Sequence, residues 1–211
     1  MAYSYLDLLS TPDVQAAQAA NGARKMWEDL DADRPSGRFT EDEVAFITAR
    51  DSFDMATVSQ SGWPYVQHRG GPPGFVKVLD DTTLAFPDFR GNRQYISLGN
   101  VAGDDRVALI LVDYPSRTRL KILAHLEVRD LKADPELAAR LALPGYRAVP
   151  ERAFVLKLVG FDWNCSQHIT PRYTAADIQG AMGQMGVRLA VLEAENKALR
   201  EQLAARPASP S

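Results

Sequence analysis

The stretch PYVQHRGGPPGFVKVLDDTTLAFPDFRGNRQYISLGN, Pro64 to Asn100, sets two glycine-punctuated basic loops beside two apolar runs of strand length. Its first half, His68-Arg69-Gly70-Gly71-Pro72-Pro73-Gly74-Phe75, is barred from helix, because two prolines remove donors and fix φ while the glycines permit close backbone approach. Its second half, Asp88-Phe89-Arg90-Gly91-Asn92-Arg93-Gln94, places two arginines around a glycine, just before a helix-compatible segment from Gln94 to Leu98. Backbone N–H groups at a helix start, with arginine forks beside them, suit a phosphate. The stretch therefore reads as a site for a phosphate-bearing cofactor, although neither half matches a dinucleotide fingerprint or a Walker loop.

Working outward, Met55-Ala56-Thr57-Val58, then Ser61-Gly62, then Trp63 to His68 reads as a hairpin. Further strands are expected at Phe75–Leu79, Thr83–Phe86, Val107–Tyr114, Arg119–Val128 and Phe154–Phe161. Several strands at short spacing with only short helices between them favour an antiparallel barrel over βαβ units. Helices punctuate this pattern. Thr11-Pro12-Asp13 is an N-cap followed by proline and opens an alanine-rich helix towards Ala20. Thr40 and Glu43 form a capping box, with Phe39 and Val44 as its hydrophobic staple, so a helix is expected from Glu41 to about Arg50. Asp134-Pro135-Glu136 opens a short helix through about Leu141.

The C-terminal segment is the clearest periodic signal. Ile178, Met182, Met185, Leu189, Leu192, Asn196, Leu199 and Leu203 alternate at spacings of four and three, the apolar seam of a coiled coil. With Leu192 and Leu199 at d, Asn196 falls at a, where a buried amide favours a parallel dimer in one register. Arg188 and Glu193, like Glu195 and Arg200, then occupy g and the following e, positions that meet across a parallel coil. Gly180, Gly183 and Gly186 weaken its start by roughly 1 kcal/mol each.

With 211 residues, 45% hydrophobic and 24% charged, the chain has an ordinary globular balance. The formal net charge of −3 gives no general attraction to nucleic acid or to an anionic membrane, so any anion site must be local. One cysteine excludes an intrachain disulfide framework. No apolar run is long enough to span a bilayer, and no basic n-region precedes an apolar run, so a cytoplasmic protein is expected. Three histidines, His68, His125 and His168, with one cysteine lack the paired ligands of a zinc site, and no metal is expected.

On pattern alone the two loops are also ordinary turns with solvated arginines. His68, beside Arg69, is a candidate proton donor or acceptor; the bland reading is a hydrogen-bonded barrel histidine. Cys165 and His168 have the spacing of a thiolate pair on a turn, with no acidic residue evident to orient it. Arg117, Arg119 and Lys121 alternate, so a strand puts them on one face. Without interleaved aromatics that face is no nucleic-acid platform.

Taken together, Met55 to Ser59, GWPY from Gly62 to Tyr65, RGGPPGF, DFRGNRQYIS, RVALILVDYP, RLKI and FDWNCSQHITPR resemble the FMN-binding split-barrel superfamily, that of pyridoxamine 5'-phosphate oxidase, over roughly Phe39 to Arg172. The likeness is to an oxidase-related branch of unassigned substrate. It implies a mainly β fold with α additions: a split β-barrel at 39–175, an N-terminal helical extension at 1–38, a C-terminal coiled-coil helix at 176–204 and a disordered tail at 205–211. Arg69 and Lys77 stand where the family sends an Arg and a Lys towards FMN, with GGPPGF inserted between them. Gly91-Asn92-Arg93 replaces the family's Ser-Arg-Lys run and keeps its last cation. Arg119 resembles the strand residue that faces the flavin of the other subunit, and Trp163 and Arg172 resemble the Trp and Arg that end the family's barrel and would close the site near the ring.

The resemblance thus implies a homodimeric FMN oxidoreductase acting on a small molecule, with a nicotinamide reductant as one source of electrons. Arg69, Arg90 and Arg93 would hold the phosphate, with Asn92 and Gln94, beside Asp88, adding hydrogen bonds. Phe75, Phe89 and Tyr173 would line the slot over the ring. Related barrels use FAD, deazaflavin or haem. Two other readings are a flavin carrier or sensor that signals through its coiled coil, and a cofactor-free interaction barrel.

Overall fold

The computed structural model describes residues 5–28, 37–164 and 166–204. Most of the linker expected at 31–38, the tail from 205, and Cys165 lie outside the described residues. The chain forms two units: one runs to Asp113 and includes Arg117–Ile169, the other comprises Tyr114–Ser116 and the segment from Thr170 onward.

The first unit begins with α1 (Tyr5–Leu9), α2 (Pro12–Ala20) and α3 (Arg24–Glu28). Thr11 caps α2 by accepting the Val14 N–H at 3.4 Å, as its position before Pro12 predicts. Buried Tyr5 ties α1 down, with the Lys121 ammonium 4.8 Å from its ring centroid. Helix α4 (Glu41–Thr48) starts at the expected capping box, where the Thr40 N–H and hydroxyl both donate to Glu43 Oε2, at 2.8 and 2.6 Å. It stops short of Arg50, whose guanidinium turns back to the Phe46 carbonyl at 3.2 Å and to Asp113 at 3.1 Å.

Seven strands follow: β1 (Ser52–Val58), β2 (Pro64–Gly70), β3 (Lys77–Asp80), β4 (Thr83–Phe89), β5 (Arg106–Asp113), β6 (Thr118–Arg129) and β7 (Pro150–Asn164). The third begins later than the Phe75 expected from sequence, because the Pro72–Gly74 turn extends to Phe75, whose N–H donates to Pro72 O. Helix α5 (Ile96–Gly103) lies between β4 and β5, and α6 (Pro135–Arg140) between β6 and β7. The short helix expected from Gln94 starts at Ile96 and runs five residues past Leu98.

All pairings are antiparallel, in the order β2-β1-β5-β6-β7-β4-β3. In a flat sheet β1 and β4, four places apart, would be separated by roughly 19 Å. Instead Phe53 of β1 and Phe86 of β4 meet edge to face, with centroids 5.1 Å apart. The sheet is therefore curled around its core into a split barrel. Alternation feeds that core: Phe53 and Met55 from β1, Val107, Leu109 and Leu111 from β5, and Leu120 and Ile122 from β6 point inward. Phe75, Phe86 and Phe154 are almost completely buried, each contributing about 1.5–3 kcal/mol of transfer free energy. The free edges of the sheet are β2 and β3, and on that side Arg69 of β2 reaches Asp88 near the end of β4, so side chains rather than backbone make the closure.

The second unit is dominated by α7 (Ala175–Ala204), one uninterrupted 30-residue helix. Its first turn is fixed by Asp177, which accepts from the Thr174 N–H at 2.8 Å and hydroxyl at 2.7 Å. The heptad seam lies exposed, from 44% at Leu192 to 73% at Met185. No described helix is long and apolar enough to cross a membrane.

Candidate functional site

The split of the barrel opens a small cleft, and strand alternation decides which side chains enter it. Along β2, Tyr65, Gln67 and Arg69 are half-buried while Val66 and His68 are exposed. Gln67 and Arg69 line the cleft. His68 stands on the opposite face of the strand, with Nδ1 3.3 Å from Asp54. The expected neighbour of Arg69 in sequence is thus separated from it in space by the pleat.

Across the split, register supplies the opposite charge. Asp88 on β4 pairs directly with Arg152 on β7. The Asp88 carboxylate, only 10% exposed, accepts from Arg69 Nη1 at 2.7 Å through Oδ1 and from Arg152 Nη1 at 2.8 Å through Oδ2. Arg152 also donates to Glu151 at 3.2 Å, and Glu151 accepts from Arg90 Nε at 3.1 Å and from the Tyr95 hydroxyl at 3.2 Å. Tyr95 in turn accepts from Arg93 Nε at 3.3 Å. Burial works to raise the Glu151 carboxyl, but hydrogen bonds from Arg90 and Tyr95 and the charges of Arg152 and Arg90 outweigh it and hold it below the ordinary glutamate value. Four guanidiniums therefore face two carboxylates, leaving a surplus of positive charge.

The backbone beside this network is strained. Arg93 and Tyr95 both adopt left-handed conformations, with φ of 63° and 54°, at a cost of about 1 kcal/mol or more each for residues other than glycine. The Gln94 N–H is held by Asn92 Oδ1 at 3.1 Å. Tyr95 is the N-cap of α5 and makes no side-chain capping bond, so the first-turn amides have no cap. A left-handed residue entering a right-handed helix converges successive N–H groups into an anion-binding concavity. Buried Ser97 in this turn donates to Gln67 Oε1 at 2.9 Å and ties the helix to β2.

One donor in the cleft lacks a partner: Arg69 Nε is buried and makes no hydrogen bond. Asp88 holds its Nη1, and the guanidinium lies over the Phe154 ring, 5.2 Å from Cζ to centroid. The cleft encloses about 50 Å³, where one water needs roughly 10–15 Å³. It has the scale of a phosphate group, not of a tricyclic ring.

Of the residues expected from sequence, Arg69, Asp88, Asn92 and Arg93 line this one cleft. Arg90 joins through Glu151, and exposed Gln94 stands between the two left-handed residues. Lys77, on β3 opposite Ala85, is not among the lining residues. Arg119 lies on β6, opposite Val112 and Asn164. Trp163 donates its indole N–H to Glu43 at 2.6 Å and meets Phe46 edge to face, so it anchors α4. Arg172, in the second unit, lies over the Tyr114 ring at 4.7 Å. Phe89 lines the cleft, Phe75 lies in the core, and Tyr173 is exposed. His168 has a left-handed φ of 62°. Gln67, Tyr95, Ser97, Glu151 and Arg152 were missed from sequence. Among the described residues no cluster of three or more His, Cys, Asp or Glu is placed to hold a metal.

The family model for pyridoxamine 5'-phosphate oxidase matches residues 39–157. No curated protein matches the chain. Among solved structures, a Lactobacillus delbrueckii protein provisionally assigned as a pyridoxamine 5'-phosphate oxidase is 24% identical, with 61% of this chain and 96% of that one covered and a TM-score of 0.46. HupZ of Group A Streptococcus is 14% identical, over 64% of this chain and all of that one, at 0.45. An FMN-binding protein from Syntrophomonas wolfei is 12% identical, over 70% and 97%, at 0.42.

Proposed function

The chain belongs to the pyridoxamine 5'-phosphate oxidase family, and from that premise we propose that it is a homodimeric flavoprotein that binds FMN by its phosphate and oxidises or reduces a small molecule. The observation that carries this reading is the uncapped, left-handed entry to α5, which lines one cleft with Arg93 and with Arg69, whose buried Nε has no partner. That donor set fits a terminal phosphate: two guanidiniums for charge and shape, and backbone amides converging beside them. Arg93, like Arg90, is exposed, and the Tyr95 hydrogen bond and the Glu151 charge make its guanidinium more basic still. The Asn92 and Gln94 side-chain amides add polar contacts around the phosphate, and Ser97 holds the helix start in place through Gln67.

A bound flavin supplies hydride or electron transfer. The chain's own residues bind and orient it, with Phe89 and Phe154 keeping the cleft floor apolar. A cleft of this size takes the phosphate alone, so the ring lies outside it, where Arg119 of a second copy is a candidate to complete the slot. FAD and haem fit less well, because neither offers this donor set a terminal phosphate dianion.

The exposed seam of α7 favours a second copy in parallel register, which buries Leu189, Leu192, Leu199 and Leu203 and pairs Asn196 with its equivalent. Arg188 with Glu193, and Glu195 with Arg200, then meet with opposite charge across the seam. The same helix supports the second reading, a flavin carrier or sensor that signals through its coil.

The test is an absorption spectrum of freshly purified protein, followed by heat release and identification of the chromophore. Released FMN supports the reading, and turnover with a nicotinamide nucleotide and an acceptor then separates enzyme from carrier. A colourless protein that takes up no added FMN overturns it.

A further inference from the structure

Asp88 presents a paradox, because a carboxylate that lines a site for an anion repels the ligand. Its geometry resolves it. Each oxygen takes one guanidinium, from strands on opposite sides of the split, at 2.7 and 2.8 Å. Asp88 engages Arg69 through Nη1 only, and the buried Nε of the same guanidinium is the donor left without a partner. Arg69 and Arg152 otherwise carry like charges that push apart, and an unheld arginine samples many rotamers.

Resting on the phosphate reading of the cleft, we propose that Asp88 is a positioning residue for anion recognition: it touches no ligand, but it locks Arg69, and through Arg152 the Glu151 network, in the orientation that receives the phosphate. Its removal therefore weakens binding of a dianion even though it removes a negative charge. Simple electrostatics predicts the opposite sign, since deleting a carboxylate raises the local positive potential. Positioning partners of this kind change ligand affinity by roughly 10- to 100-fold in metal sites, and a loss on that order is expected here.

The experiment compares FMN with riboflavin, which carries the same ring without the phosphate, by titration of apoprotein. In Asp88→Asn the FMN dissociation constant rises by on the order of 10- to 100-fold while that for riboflavin is unchanged. A merely structural role would weaken both flavins together. Should Asp88→Asn fail to fold, Asp88→Glu, which keeps the charge and displaces it by one methylene, carries the same expectation. Either folded variant that binds FMN as tightly as the wild type, or more tightly, overturns the inference alone. A wild-type protein that does not distinguish FMN from riboflavin removes the phosphate reading of the cleft and this inference with it.

Discussion

Glu43 and Asp88 are both buried carboxylates in the same barrel, yet they are satisfied in opposite ways. Glu43 accepts from neutral donors, the Thr40 N–H and hydroxyl and the Trp163 indole. Asp88 accepts from two guanidiniums. The first arrangement is closed: both oxygens are occupied, and the groups that hold them have no further charge to offer. The second is open, because each guanidinium keeps further N–H groups and the pair together carries more charge than the carboxylate cancels. A buried carboxylate among neutral donors fixes structure, whereas one among cations directs their remaining charge elsewhere.

The largest expected effect breaks the closed member. Glu43→Ala leaves the Trp163 indole and the start of α4 without their acceptor and is expected to cost about 3 kcal/mol of stability, read by denaturant unfolding. The ratio of FMN to riboflavin affinity stays at the wild-type value. A shift in that ratio would erase the distinction between the two carboxylates. Next in size, Arg93→Ala is expected to weaken FMN by about 2 kcal/mol, roughly 30-fold. Unfolding moves little, since Arg93 is exposed. Tyr95→Phe, which removes the hydroxyl linking Arg93 to Glu151, is expected to weaken FMN by about 1 kcal/mol, with riboflavin again unaffected.

The smallest effect is a pH slope. Burial pushes the Glu43 carboxyl up, but hydrogen bonds from the Thr40 and Trp163 side chains and from the backbone outweigh it and hold it below its ordinary value of 4.5. A folded-state value below the unfolded one gives stability that is complete above the unfolded value and is lost as pH falls through the folded one. Thermal unfolding followed from pH 6 downward therefore shows an acid-side decline that is shallower in Glu43→Gln. Equal slopes in the two proteins would mean that Glu43 is not the group being read.

Much of this was legible from local signals. The capping box at Thr40, the Thr11 cap and the β1–β2 hairpin each rest on residues within a few positions of one another, and the structure contains them where expected. The cleft residues close in sequence, Asn92 and Arg93, were found for the same reason. Alternation along β2 held more than was taken from it: it joins Gln67 to Arg69 and sends His68 to the opposite face. Glu151 and Arg152 gave no such signal. They reach the cleft only because the register sets Asp88 against Arg152, some sixty positions away in sequence, and register in a curled sheet is fixed by packing around the core. The contact of Trp163 with Glu43 was equally silent in the sequence, since an indole near a cofactor and an indole on a capping carboxylate look alike until α4 is placed.

The measurement that tests the central claim most directly is the affinity of the wild-type apoprotein for FMN and for riboflavin, titrated side by side at low and moderate salt. A phosphate held by Arg69, Arg93 and the amides of α5 predicts FMN tighter by on the order of 100-fold, with the preference narrowing as salt rises and riboflavin unmoved. Equal affinities at both salt concentrations would contradict the assignment of this cleft as the phosphate site.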